Sequence, residues 1–278
     1  MAVLEALRQV PGALARNPIV LVVLGAFGLL QAPQVLAQTV DPLLASLVSL
    51  LVTGVFVLVV PFVQAGLIGM VDEALDGRTE FGTFLRAGKQ YYLSVLGAYL
   101  AVFALSVVLG IVATFAAVFG GILAFSGGAT GIVTFLLVGA VFLLVLVPYL
   151  LVVFFVQFYG QEIVLDGASA VEGLKRSVGL VRRNLASTAG YTLVVVVVSG
   201  AVGGLAGGLS FLLRTGGATP GAGGATSGME AATLSPTAAV VFLVLTVVAS
   251  ALVGGFMLAF SVAFYREIRG EPTGAAPA

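Results

Sequence analysis

Long apolar runs alternate along this chain with short stretches in which charged residues return every three or four positions. Ile19 to about Gln38, Leu43 to Met70, Leu93 to Phe119, Ile132 to Tyr159, Thr188 to Leu213 and Ala238 to Phe264 are each long enough to cross about 30 Å of hydrocarbon as a helix. They predict six transmembrane spans. Asn17-Pro18 reads as the N-cap and first helical position of span one, and Asp41-Pro42 as the turn into span two. Pro61 and Pro148 fall inside spans two and four, where a static kink is the ordinary reading and a hinge the alternative. A charge-free, Gly-rich turn, Gly120 to Gly131, joins spans three and four. Arg214 to Pro236, rich in Gly, Ala, Thr and Ser, predicts a flexible extracytoplasmic loop, and 269–278 a polar tail.

The polar stretches have helical spacing of their own. Over residues 1–17, Leu4, Leu7 and Leu14 share one face with Glu5, Arg8 and Arg16 off it, the pattern of a helix lying on the membrane surface, with Pro11 expected to kink it. Between spans two and three, Asp72, Glu73, Asp76, Arg78, Glu80, Arg86 and Lys89 mark an aqueous connection in which Phe81, Phe84, Leu85 and Tyr92 predict a second surface helix. Ser169 with Glu172 is a capping-box signature opening a third. There Val171, Leu174, Val178, Val181 and Leu185 step by three and four, with Glu172, Lys175, Arg176, Arg182 and Arg183 on the opposite face. In span five, Gly200, Gly204 and Gly208, and Ser199, Gly203 and Gly207, form small-residue rows that predict burial among neighbouring helices.

Composition narrows the class. With 60% apolar and 9% charged residues, the chain has too little polar surface for a water-soluble fold. It contains no cysteine and no histidine, which excludes disulfides, thiol chemistry and the commonest general base and metal ligand. With six spans, Arg8, Arg16, Arg78, Arg86, Lys89, Lys175, Arg176, Arg182, Arg183, Arg266 and Arg269 share one side of the membrane and only Arg214 the other. The positive-inside rule then predicts a multi-pass protein of the plasma membrane with both termini cytoplasmic. Tyr91, Tyr92, Tyr159, Tyr191 and Tyr265 cluster at the same boundary, where amphipathic rings are comfortable. An alternative for the first span is a cleaved secretory signal ending near Val35-Leu36-Ala37.

An internal threefold repeat organises the single membrane domain, 1–278, into units of about 1–71, 72–165 and 166–268. Phe62-Val63-Gln64 leads to Asp72-Glu73 and Leu75-Asp76-Gly77, as Phe155-Val156-Gln157 leads to Gln161-Glu162 and Leu165-Asp166-Gly167. Phe264-Tyr265-Arg266-Glu267-Ile268 echoes Phe158-Tyr159-Gly160-Gln161-Glu162-Ile163. Glu5, Leu7, Arg8, Gly12, Arg16 and Asn17 align without a gap on Glu172, Leu174, Lys175, Gly179, Arg183 and Asn184. The repeating unit is a surface helix followed by two spans, and because the units share one topology its axis is expected along the membrane normal.

Glu162 to Asn184 joins an acidic residue at a span end, an amphipathic helix with a Gly173-Leu174-Lys175-Arg176-Ser177 core, and a basic exit ending in Asn. This resembles the six-span membrane proteins similar to the membrane domain fused to some glycerophosphoryl diester phosphodiesterases, a group with many stand-alone archaeal members. The resemblance implies a six-helix membrane fold and no established activity for stand-alone chains. Gly173 stands where the group's pattern has Ala. The resemblance covers the membrane domain alone, so the fused relatives' catalytic activity is not expected of these residues.

No Asp, Glu, Lys or Arg lies mid-span, which counts against ion-coupled transport and proton relays. Gln31, Gln34, Gln64 and Gln157 are the polar residues at depth, read as interhelical hydrogen bonders or, on the rival view, as a solute pathway. Asp72, Glu73, Asp76 and Glu80 form an acidic cluster of the kind usually solvated at span ends, so no metal site and no cofactor are expected. Lys175, Arg176, Arg182 and Arg183 are the candidate contact for membrane lipids, anionic ones included, or for a protein partner; nucleic acid is not expected. The expected function is therefore a non-catalytic scaffold or accessory component of the membrane. The alternative is a transporter for a small solute or lipid built on the repeat.

Overall fold

The computed structural model describes residues 2–30, 32–33, 42–126, 131–215 and 236–270, and among them all regular structure is helical. The helices are α1 (Ala2–Arg16), α2 (Ile19–Leu29), α3 (Pro42–Asp76), α4 (Phe81–Ser126), α5 (Gly131–Val156), α6 (Tyr159–Asp166), α7 (Ala170–Arg183), α8 (Leu185–Thr215), α9 (Pro236–Ala249) and α10 (Gly255–Arg269). A π-helical segment, Ser250–Gly254, joins the last two. Five stretches are long and apolar enough to cross a membrane: Ser46–Asp76, Phe81–Phe115, Phe142–Asp166, Leu185–Leu205 and Leu243–Arg269. The count becomes six if α1 and α2, bent by 85° at Asn17-Pro18, form one broken span. Along these stretches large apolar side chains such as Leu50, Leu93, Leu144 and Leu205 stand mostly exposed, a surface suited to hydrocarbon rather than water. The chain is an all-helical, multi-pass membrane protein.

Several boundaries depart from expectation for identifiable reasons. The predicted second surface helix and span three are one helix, because nothing between Phe81 and Leu93 breaks the backbone ladder. The same helix runs through Gly120 and Gly121 to Ser126, since a backbone in hydrocarbon keeps its intrahelical bonds even at glycine. α1 continues through Pro11 as one element, and the chain turns at Asn17-Pro18 instead. The small-residue rows of span five are not buried among the described residues: there, a methyl group added at Gly200, Gly203, Gly204, Gly207 or Gly208 would meet nothing within 4 Å. Most of the predicted loop between spans five and six lies outside the described residues.

The chain divides into two compact units, one of residues 1–90 with 185–278 and one of residues 91–184. In the first, α1 packs along α10 and also touches α3 and α8, while α2 runs against α9 and the π-helical segment. Close approaches are made at glycine. A Cβ on Gly66 would lie 2.4 Å from the Phe84 ring and 2.7 Å from the Phe84 carbonyl oxygen, and one on Gly88 would lie 2.8 Å from the Phe62 ring. Each ring thus fills the space above the other helix's glycine, and the two rings meet edge to face with centroids 5.6 Å apart. Gly255 gives Leu21 the same room, 2.5 Å from where its Cβ would stand.

In the second unit, α7 packs on α6 and α5. A Cβ at Gly173 would stand 2.6 Å from Ile163 Cγ1 and 3.3 Å from the Tyr159 carbonyl oxygen, which is why Gly rather than Ala occupies that position. Helix α6 ends at Gly167, whose φ of 65° is left-handed and suits glycine alone among common residues. The Ala168 amide closes that end by donating to the Glu162 carbonyl at 3.3 Å.

Adding one methyl group at a filled close approach should cost roughly 1–3 kcal/mol. Gly66→Ala and Gly173→Ala are expected to lower the unfolding midpoint of the detergent-purified protein, whereas Gly54→Ala, with no neighbour within 4 Å, should leave it unchanged or slightly raised.

Candidate functional site

Helix α7 carries the predicted basic residues. It starts after Ser169, whose carbonyl accepts the Gly173 amide at 2.8 Å. The Ser169 side chain makes no capping bond, and Glu172, expected to complete a capping box, instead pairs with Arg176 one turn on. The inward face is the row Gly173, Ser177 and Val181, all buried. Ser177 fastens it: its hydroxyl donates to the Phe155 carbonyl at 3.0 Å and accepts the Phe158 amide at 3.1 Å, where α5 breaks before α6. Lys175, Arg176, Arg182 and Arg183 all lie exposed on the opposite side. Arg182 rests over the Phe155 ring, 5.8 Å from its centroid. Lys175 and Arg183 make no ion pair or hydrogen bond among the described residues. Between the inward and basic sides, Val171 is 62% exposed, Leu185 exposed, and Leu174 and Val178 half-buried.

In the other unit a polar cluster joins α1, α3 and α10. Arg266, with only 13% of its side chain exposed, donates from Nε to Asp72 Oδ1 at 2.8 Å. Its two terminal nitrogens grip the Asp76 carboxylate at 2.7 and 2.6 Å, a two-toothed, charge-assisted contact. Gln9 of α1 donates to Glu267 Oε1 at 3.1 Å, and Thr79 donates to Glu73 Oε2 at 2.9 Å. Two of the four acidic residues in the sequence cluster are therefore held by an arginine, and among the described residues no group of three His, Cys, Asp or Glu could hold a metal ion.

Asn17, almost fully buried, is the other fixed point. Its Nδ2 donates to the carbonyls of Ala13 and Gly77, both at 2.9 Å, with that of Ala74 at 3.3 Å. Its Oδ1 accepts the Thr79 amide at 2.8 Å. The residue read from sequence as an N-cap is in fact a clamp between the α1–α2 turn and the end of α3. Asn184, its counterpart after α7, makes the matching bond four residues back, to the Leu180 carbonyl at 3.1 Å.

Of the intramembrane glutamines, Gln64 sits half-buried in α3, and Gln157 donates to the Phe154 carbonyl at 2.9 Å beside the α5–α6 break. Gln31 and Gln34 lie outside the described residues. Sequence reasoning did not find the Arg266 pairs, whose partners lie 194 and 190 positions away, nor the role of Ser177. The second unit also holds a mostly apolar cavity of about 270 Å³, lined by residues of α4 and α5 including Ser106, Gly110, Phe142 and Tyr149.

Residues 1–268 match the model of a family described as a domain of unknown function, DUF7847. No curated protein and no solved structure matches the chain.

Replacing Asn17 with Ala strands a buried amide and several carbonyls, each costing about 1–3 kcal/mol when unsatisfied. Asn17→Ala is expected to destabilise the protein by roughly 2–4 kcal/mol in a denaturant titration in detergent. Asn184→Ala, losing one half-exposed bond, should cost about 1 kcal/mol or less.

Proposed function

The chain belongs to the DUF7847 family, and from that premise we propose that it is a non-catalytic scaffold or accessory component of the plasma membrane. It holds lipid or a protein partner at a basic cytoplasmic face centred on α7. The observation that carries this reading is the arrangement of α7 in three sectors. A small-residue row packs inward, an uncovered apolar stripe lies beside it, and exposed Lys175, Arg176, Arg182 and Arg183 face away. A helix of this kind sits at the bilayer edge with its stripe among acyl chains and its cations among headgroups, each cation near an anionic surface contributing about 1 kcal/mol.

The repeat reading gains local support. Leu4 and Val171 are each 62% exposed, Ala6 and Gly173 are buried, Val10 and Ser177 are buried, and Arg8 and Arg16 are exposed as Lys175 and Arg183 are. With both termini and all three basic segments cytoplasmic, one topology serves each unit.

A lipid or small-solute transporter is the second reading, favoured by the apolar cavity between α4 and α5. Proteoliposomes that move candidate lipids no faster than empty vesicles would remove its support.

Native mass spectrometry of the protein in mild detergent tests the leading reading. Wild type should retain anionic lipid or a protein partner, and the variant K175Q/R176Q/R182Q/R183Q should lose it; equal retention by both would sink the proposal. Because the chain has no cysteine, single Cys substitutions can carry spin labels without background. A label at Val171→Cys is expected to be accessible to oxygen in the bilayer, and one at Lys175→Cys to a water-soluble relaxant.

A further inference from the structure

We propose that α1 is a second site for the headgroup phosphate of an anionic phospholipid, an assignment that rests on the reading of α7 above and extends it to the other compact unit. The first argument is direction. α1 leaves α2 at 85°, so the two helices cannot both run along the bilayer normal.

The second argument is the way the faces of α1 are used. Ala6, Val10 and Ala13 are almost completely buried and face the neighbouring helices. Leu4 is 62% exposed, with Leu7 and Leu14 half-buried on the same stripe. Arg8 and Arg16 stand exposed on the remaining side and make no ion pair or hydrogen bond among the described residues. They lie eight residues apart, about 12 Å along the helix, so they can meet neighbouring headgroups. Arg16 is in the last turn, where the helix dipole supports a cation, and Glu5 stands in the first turn, three residues before Arg8.

The third argument is rigidity. Gln9 is held by Glu267, and Asn17, just beyond the helix end, is held by the end of α3, so α1 cannot roll to bring its arginines toward the protein. An acidic protein surface could match the two cations, but not the leucine stripe beside them. A phospholipid supplies both an anionic phosphate and hydrocarbon, and the proposal commits to it.

Native mass spectrometry of the full chain, with dioleoylphosphatidylglycerol or neutral dioleoylphosphatidylcholine added at increasing concentration, tests this. Two saturable phosphatidylglycerol sites are expected on wild type, one on R8Q/R16Q, one on the four-residue α7 variant and none on the combination. At the α1 site, R8Q/R16Q should weaken binding roughly 30-fold, equivalent to about 2 kcal/mol. R8K/R16K should restore it, because only charge is required. If R8Q/R16Q keeps both sites, the α1 assignment is overturned while that of α7 stands. If only the α7 variant keeps both, the α7 reading fails and the α1 site remains. Equal retention of phosphatidylcholine, loss in R8K/R16K as great as in R8Q/R16Q, or loss of a bound protein with lipid unchanged would each overturn the phospholipid assignment.

Discussion

The guanidinium of Arg266 ties the end of the last span to the end of the second through Asp72 and Asp76. Its side chain is mostly buried, so without these carboxylates it would be a poorly solvated charge. Around this contact the helix ends are densely packed. Tyr191 of α8 stacks on Phe264 of α10 with ring centroids 4.7 Å apart, α1 packs along α10, and Asn17 locks the turn below it. Farther along the spans the side chains stand exposed, because in lipid there is no hydrophobic drive to bring one helix against another. Cohesion therefore concentrates where polar groups and glycines permit strong, close contact.

Much of this was legible in the residues. The spans are read from apolar length alone, since nothing but a membrane matches runs of that size. The alignment of Asn17 with Asn184 marked both positions as special, although an N-cap was the wrong role for Asn17. Two things could not be read. The partners of Arg266 are nearly two hundred positions away, and no local pattern encodes which of several arginines meets which carboxylate. The small-residue rows of α8 meet the spacing of a packing motif, but spacing alone does not say that a neighbouring helix is there, and among the described residues none approaches them.

The basic helices show why wheel patterns can mislead about which face packs inward. In a soluble protein the leucine and valine stripe of an amphipathic helix marks the face toward the core. In α7 the inward face is Gly173, Ser177 and Val181, and in α1 it is Ala6, Val10 and Ala13. Small residues allow the helix to approach its neighbours, as the clash awaiting any Cβ at Gly173 demonstrates. The larger apolar side chains, Leu4 and Val171 among them, are then left exposed to the side.

The packing of α1 against α10 also sets the order of assembly. At a synthesis rate of about 5–20 residues per second, the 190 positions between Asp76 and Arg266 take roughly 10–40 s to make. Throughout that interval the first helix and the carboxylates of the second span are in the cell without their final partners. The nascent chain must shelter them, by lipid, by water at the membrane edge or by the insertion machinery, until the last helix arrives to complete the fold.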